Sequence, residues 1–326
     1  MKYLLSFCLA TVLMASSCTK GNSSGNNDND DTNGPNPLPR IEGDTTIALN
    51  GTQNYTNVMG NFRPTLPTFK SLSKQSGIVR GYVKDLAGQP LQNAYIGIRS
   101  SAVGGLYSFA SANTDEKGYY EISLPLGACH FWATAYTIDY GGALATVSLH
   151  PADGITGSFA SNAGEVENFV LMSYGITNPS RVQTDPWDAH SYLGGSIRVN
   201  WQIYEDMWSP PGSLPLNSQI EITLTPIGET LYGENRRFII TKVVNNMDFY
   251  INNIPIGKYR ITARLNGTTA LQMKRNDFWP NPLFGLQASP VLGTGEVKFH
   301  PYSTEASTGI PDRGGWKAVG IEVRLP

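Results

Sequence analysis

Charge is scarce in this chain. Only 15% of its 326 residues are Asp, Glu, Lys or Arg, against about 25% in an ordinary globular protein. Long runs rich in Glu, Lys and Ala are missing, which excludes coiled coils and helix bundles. Three Cys and four His leave little for a disulfide framework or a metal centre. His130, His150, His190 and His300 stand singly, none with a second His or Cys at metal-ligand spacing. No G-x-S-x-G, H-E-x-x-H, P-loop or dinucleotide-type glycine pattern occurs. The expectation is a chain that is not an enzyme and needs no cofactor. A net charge of −2 argues against nucleic acid as a partner. Gly (34), Pro (21) and Tyr (16) are plentiful, which points to strands joined by many turns, and the length suits about two domains.

Met1-Lys2-Tyr3 carries one positive side chain, residues 4–14 are almost wholly apolar, and Ala15, Ser16 and Ser17 are small. A run this short cannot span a bilayer, which takes about 20 apolar residues, so residues 1–17 read as a signal peptide. A Cys directly after small residues resembles the lipobox of bacterial lipoproteins, with Ala15 departing from the large aliphatic usual there. That resemblance implies that Cys18 takes a lipid and anchors the chain in the bacterial cell envelope, the outer membrane being the expected site; cleavage without lipidation is the alternative. Cys8 lies within the apolar run and fits neither role. Residues 19–39 read TKGNSSGNNDNDDTNGPNPLP and hold too little apolar surface to offset their ordering entropy, so 18–40 is expected to be lipidated Cys plus tether. Asp28, Asn29, Asp30 and Asp31 have the composition of a calcium loop, but no Gly follows at the right spacing and no Glu closes it.

From residue 77 the pattern changes to short alternating segments. Residues 78–83, 94–99, 119–124, 129–136 and 166–172 read as strands, punctuated by the turn sequences DLAGQPL at 85–91 and TDEKG at 114–118. Asp85 and Asp115 each precede a Gly by three residues, where an Asp side chain can accept from turn amides. Cys129 is expected to be a buried thiol, and a Cys/His pair is excluded because Cys129 and His130 are adjacent on a strand and face opposite ways. The residues Gly81, Val83, Asp85, Gly88, Pro90, Leu91 and Ala94, then Thr114, Asp115, Gly118 and Tyr120, then Leu124, Pro125 and Gly127, resemble the carboxypeptidase regulatory-like domain. That family implies a transthyretin-like sandwich serving as a folding or binding accessory, with no peptidase activity. The chain departs from it where Cys129 stands in place of the usual aromatic.

The second half repeats the plan. Residues 196–201 alternate like 78–83, and 218–224 like 94–99. Residues 249–263 align with 119–133, setting Pro255 and Gly257 over Pro125 and Gly127 and Ala263 over Ala133, while 319–325 matches 166–172. The Asp85 motif does not recur. The expected architecture is all-β: two tandem transthyretin-like or immunoglobulin-like β-sandwiches over 77–174 and 192–326, joined by a linker at 175–191. Residues 41–76 are a linker or supply one extra edge strand at 45–49.

Aromatics supply the candidate recognition site. Trp187, Trp201, Trp208, Trp279 and Trp316 cluster late in the chain, several beside Pro or Gly. Trp208 and Trp279 lie in proline-flanked segments where an indole could form a platform for sugar rings or apolar peptides, with Asp206, Asn276 and Asp277 as polar partners; packing at the sandwich ends is the competing role. The functional expectation is a non-catalytic, lipid-anchored envelope protein that binds or scaffolds a polysaccharide or another envelope protein. The alternatives are an adhesin or fimbria-like subunit and, third, an accessory of a hydrolase system.

Overall fold

Inward and outward side chains alternate along the strands as a half-buried sheet requires. Val79, Gly81 and Val83 are buried and Ile220, Ile222 and Leu224 are fully so, while their neighbours are more open. The computed structural model describes residues 36–326 apart from 103, 229, 246, 247, 279 and 312. The expected signal peptide, Cys18 and most of the tether lie outside the described residues. Counting strands of three or more residues, the chain runs β1 (Glu42–Leu49), β2 (Tyr55–Asn57), β3 (Ile78–Asp85), β4 (Tyr95–Ser101), β5 (Tyr107–Asn113), β6 (Tyr119–Ser123), β7 (Ala128–Tyr140), β8 (Ala143–Ser148) and β9 (Phe169–Leu171). It continues through β10 (Gly195–Asn200), β11 (Gln219–Pro226), β12 (Asn235–Val243), β13 (Asp248–Ile254), β14 (Lys258–Leu265), β15 (Gln272–Arg275), β16 (Gly285–Gln287), β17 (Thr294–Lys298) and β18 (Trp316–Arg324). One short helix, α1 (Pro179–Thr184), is capped by the Asn178 side chain.

With further two-residue strands, these strands build two five-stranded and two seven-stranded sheets, the all-β architecture expected. In the first half one sheet centres on β7 and β4 with β5 at its edge; the other sets β3 beside β6 and β9. The Phe131 and Phe169 rings meet 5.1 Å apart between these two sheets. In the second half one sheet runs β1-β12-β11-β14-β17-β16 and the other β2-β13-β10-β18-β15. Phe299 bridges them, its ring 5.8 Å from Tyr259 on β14 and 6.4 Å from Trp316 on β18. The two halves share one connectivity. β3 takes β6 antiparallel and β9 parallel, as β10 takes β13 antiparallel and β18 parallel. β4 lies antiparallel between β5 and β7, as β11 lies between β12 and β14.

The turns have the chemistry their residues suggest. Asp85 Oδ1 accepts from the Gln89 amide at 2.8 Å, and Asp115 Oδ1 accepts from Lys117 and Tyr119 at 2.8 and 2.9 Å. Gly88 and Gly118 take the positive φ of 88° and 69° that these turns need. Residues 175–193 fold back on themselves: Ile176 bridges Tyr192, and the Leu193 amide donates to the Gly175 carbonyl.

The extra strand at 42–49 does not extend the first half. β1 pairs parallel with β12 over its full length, from Glu42 opposite Asn235 to Leu49 opposite Lys242. The fully buried Lys242 holds the following turn, its Nζ donating to the Gly51 carbonyl at 2.7 Å. β2 likewise joins β13. Asn36 hydrogen-bonds to Ala87 and Leu86 of the first half, but the first two strands belong to the half that the chain builds last.

Beside β3 the closing segment is interrupted at Glu167 and Asn168, between residues 165–166 and β9. A Cβ on Gly81 would lie 1.7 Å from the Glu167 carbonyl oxygen, so only glycine fits there. The interruption turns the Glu167 carboxyl into the protein. Burial, with Asp153 nearby, raises its pKa to about 8, and the Asn168 amide pulls the other way. The folded chain therefore keeps a proton that the unfolded chain releases near pH 4.3. This group's favourable contribution is complete below the unfolded value and is lost as pH rises through 8. Glu167→Gln is expected to flatten the stability fall between about pH 5 and pH 8, gaining about 2–4 kcal/mol over wild type at the upper end. Denaturant unfolding at both pH values checks this. His150, whose pKa burial lowers to about 4, contributes the opposite slope equally to both proteins.

The halves are joined by the tip of the β7–β8 hairpin. Tyr140 enters the second half, donates its hydroxyl proton to the Gly257 carbonyl at 2.7 Å and accepts from the Phe299 amide at 2.9 Å. Its ring stacks on Phe284 at 6.1 Å and meets Trp316 edge-on at 5.2 Å. Lys298 Nζ donates to the Gly141 carbonyl at 2.6 Å. Removing the hydroxyl strands a buried N–H and a buried C=O, so Tyr140→Phe is expected to cost about 1–3 kcal/mol in denaturant unfolding with the fold retained.

Candidate binding groove

The outer face of the β5-β4-β7 sheet carries one wall of an open surface groove. Along β7, Cys129 and Phe131 point into the core and His130 points out. Cys129 is a free, buried thiol, and burial pushes its pKa up. Opposite β4 the register slips: Gly97 pairs with Ala133 but Ile98 pairs with Phe131, leaving Trp132 as the extra residue of a bulge. Bulges re-aim side chains, and this one lays the Trp132 indole across Gly97. A Cβ on Gly97 would sit 2.8 Å from the indole nitrogen, so the absent side chain is what lets the ring lie down. Phe109, on β5, packs edge-on against Trp132 at 5.5 Å.

Arg99 completes the face. Its Nε donates to His130 Nε2 at 3.0 Å, and its guanidinium lies 4.8 Å over the Tyr107 ring. His130 must therefore present a lone pair at Nε2. Burial first, and the Arg99 charge second, lower its pKa and keep the ring neutral near pH 7.

The opposite wall comes from the segment before β18. Ser303 bridges Thr146, and the Thr134 amide donates to the Gly309 carbonyl at 2.7 Å, holding Tyr302, Thr308 and Ile310 against the first half. Between the walls lies an open groove of about 650 Å³ bounded by Arg99, His130, Trp132, Ser158, Tyr302 and Ile310. The adjoining cavity beside His190 and Arg313 holds only about 20 Å³, room for roughly one water.

Four of the five residues expected from sequence to form the site are placed elsewhere. Trp208 stands 85% exposed on a loop, and the Asp206 carboxylate shapes that loop by accepting from the Trp208 amide at 2.9 Å. Asn276 donates to the Asn200 side chain at 3.0 Å on the surface of the second half. Asp277 faces inward: its Oδ1 accepts from the Gly320 amide at 2.7 Å, and Oδ2 lies 3.4 Å from Arg275 Nε. Burial raises the Asp277 pKa, opposed by that amide and by Arg275. Trp279 lies outside the described residues. β10 runs parallel to β18 and β15 antiparallel to it, so the Trp208 loop and the segment after Asp277 leave the sheet in opposite directions. Trp208, Asp206, Asn276 and Asp277 do not line the groove. Trp132 was readable as outward from the Cys129/Phe131 alternation, but its posture depends on a bulge that composition does not signal.

Among the described residues no three His, Cys, Asp or Glu side chains are grouped to hold a metal ion, and no helix is long and apolar enough to cross a membrane. Compared with protein-family models, curated proteins and solved structures, the chain matches none.

The different settings of Asp277 and Trp208 predict different costs. Asp277→Ala strands the buried Gly320 amide and removes the charge beside Arg275 Nε, while the guanidinium keeps the Asn281, Phe284 and Leu286 carbonyls, and is expected to lose about 1–3 kcal/mol. Trp208→Ala removes a side chain already in water and should stay within about 0.5 kcal/mol of wild type. Thermal or denaturant unfolding of the two variants makes the comparison.

Proposed function

We propose that the chain is a non-catalytic, lipid-anchored protein of the bacterial envelope that offers the Trp132 groove to a polysaccharide. The observation that carries this reading is the Trp132 indole, fixed across Gly97 and braced by Phe109 at the edge of an open groove. A rigid outward ring gives a sugar a large apolar contact at little entropic cost. Thr156, Ser158 and Tyr302 surround it with hydroxyls that can exchange hydrogen bonds with a saccharide. The residues resembling the carboxypeptidase regulatory-like domain belong to the half that bears the ring, in keeping with an accessory binding role. An anchor at Cys18 would hold the groove beside a membrane.

One observation favours the structural-subunit reading instead. β5 ends its sheet and carries neither charge nor proline, so its free edge lacks the usual guards against strand addition.

Glycan-array binding of the folded protein is expected, with Trp132→Ala weakening the best glycan by about tenfold or more while unfolding stability stays close to wild type. Trp208→Ala should leave that binding unchanged. Failure of every glycan to bind, or equal binding by Trp132→Ala, defeats the proposal. Growth of assemblies with concentration that a β5 proline abolishes would favour the subunit reading.

A further inference from the structure

The groove's polar groups are unbalanced in kind. Neutral sugars present hydroxyls that both give and take hydrogen bonds, and a site for them needs strong acceptors as well as donors. No Asp, Glu, Asn or Gln lines this groove or the small cavity joined to it at Tyr302, Thr308 and Ile310. What lines them instead is a cation on each side. Arg99 stands on the Trp132 side, and among the described residues none of the ion pairs includes it. Its Nε is committed to His130 and its flat face to Tyr107, which fixes the guanidinium in orientation. Its two terminal nitrogens make no hydrogen bond to the described residues, although the side chain is half-buried. Across the groove Arg313 lines the small cavity and Lys317 Nζ lies 5.4 Å over the Tyr302 ring, both likewise outside every ion pair of the described residues.

His130 sharpens the arrangement. Held neutral, it takes a hydrogen bond from Arg99 without competing as an anion, so the full guanidinium charge stays available to a ligand. A planar, oriented guanidinium with two free terminal nitrogens suits a carboxylate or sulfate, which it can bind through paired hydrogen bonds.

We propose that the groove selects an acidic saccharide, stacking its ring on Trp132 and binding its carboxylate or sulfate at Arg99. This rests on the groove being a glycan site and adds the class of glycan.

The test is titration calorimetry of the folded wild-type protein with hexagalacturonate and with dextran sulfate, against maltohexaose and unsulfated dextran. Arg99→Gln, Arg99→Lys, Trp132→Ala and Arg264→Gln, the last changing an exposed cation on β14, complete the set. The acidic probes are expected to bind, more weakly as salt rises from about 50 to 500 mM. Arg99→Gln should weaken them by about tenfold or more, Arg99→Lys by less, and Arg264→Gln not at all. Preference for hexagalacturonate assigns the anion as carboxylate, and preference for dextran sulfate assigns it as sulfate. Equal binding of maltohexaose, or binding insensitive to Arg99→Gln but lost in Trp132→Ala, overturns the acidic selection and leaves the glycan site standing. Equal losses in Arg99→Gln and Arg264→Gln reduce the effect to general charge attraction and overturn it too. No binding of any saccharide overturns both readings.

Discussion

Two hydrogen bonds of one phenol, the Tyr140 hydroxyl to the Gly257 carbonyl and from the Phe299 amide, set how the two halves of this protein meet. A polar group buried this deeply must find partners or forfeit more than a bond normally contributes. Tyr140 finds one on each side, and its ring fills the space between Phe284 and Trp316. The long β7–β8 hairpin is thereby pinned at its tip. The segment before β18 is pinned in the opposite sense, reaching from the second half back to Thr134 and Thr146 on the first. β1 and β2 add a third tie, since the chain passes through the second half's sheets before it builds the first.

The groove depends on this crossed arrangement. One wall, with Trp132, Arg99 and His130, belongs to a sheet of the first half; the other, with Tyr302 and Ile310, is carried by a segment of the second. Neither half alone encloses the space. Within the first wall a single register slip decides the chemistry. Without the bulge at Trp132, strict alternation would still put an aromatic outside, but would not lay it across the one position on β4 that lacks a side chain.

Much of the fold was legible because its strands alternate and its turns carry Asp and Gly where positive φ is needed. The strands around Ile78, Tyr119 and Ile220 stand within a residue or two of where the pattern put them, while β18 starts three residues earlier, at Trp316, and the matching of 249–263 with 119–133 corresponds to a shared strand connectivity. β5, β8 and β12 escaped notice for physical reasons. β5 reads YSFASAN and lies at an edge with both faces largely open, so burial imposes no period on it. The candidate residues picked from sequence take other settings. Proline-flanked tryptophans signal rigid loops, yet Trp208 projects into water alone, and Asp277 serves the interior through Gly320 and Arg275.

The amino-acid sequence by itself determined the all-β class, the turn chemistry at Asp85 and Asp115 and the burial of Cys129. These are local matters: the period of side chains along a strand, the φ a glycine permits, and the distance between one Asp and the amides that follow it. Only the tertiary structure decided which half receives β1, where Tyr140 finds its partners and which aromatic is presented beside a cation. The first two depend on residues more than 100 positions apart and the third on three strands meeting in one sheet, all brought together by hydrophobic burial that has no direction of its own. Strand pairing and the satisfaction of buried polar groups then select one arrangement among many that the same alternation would allow.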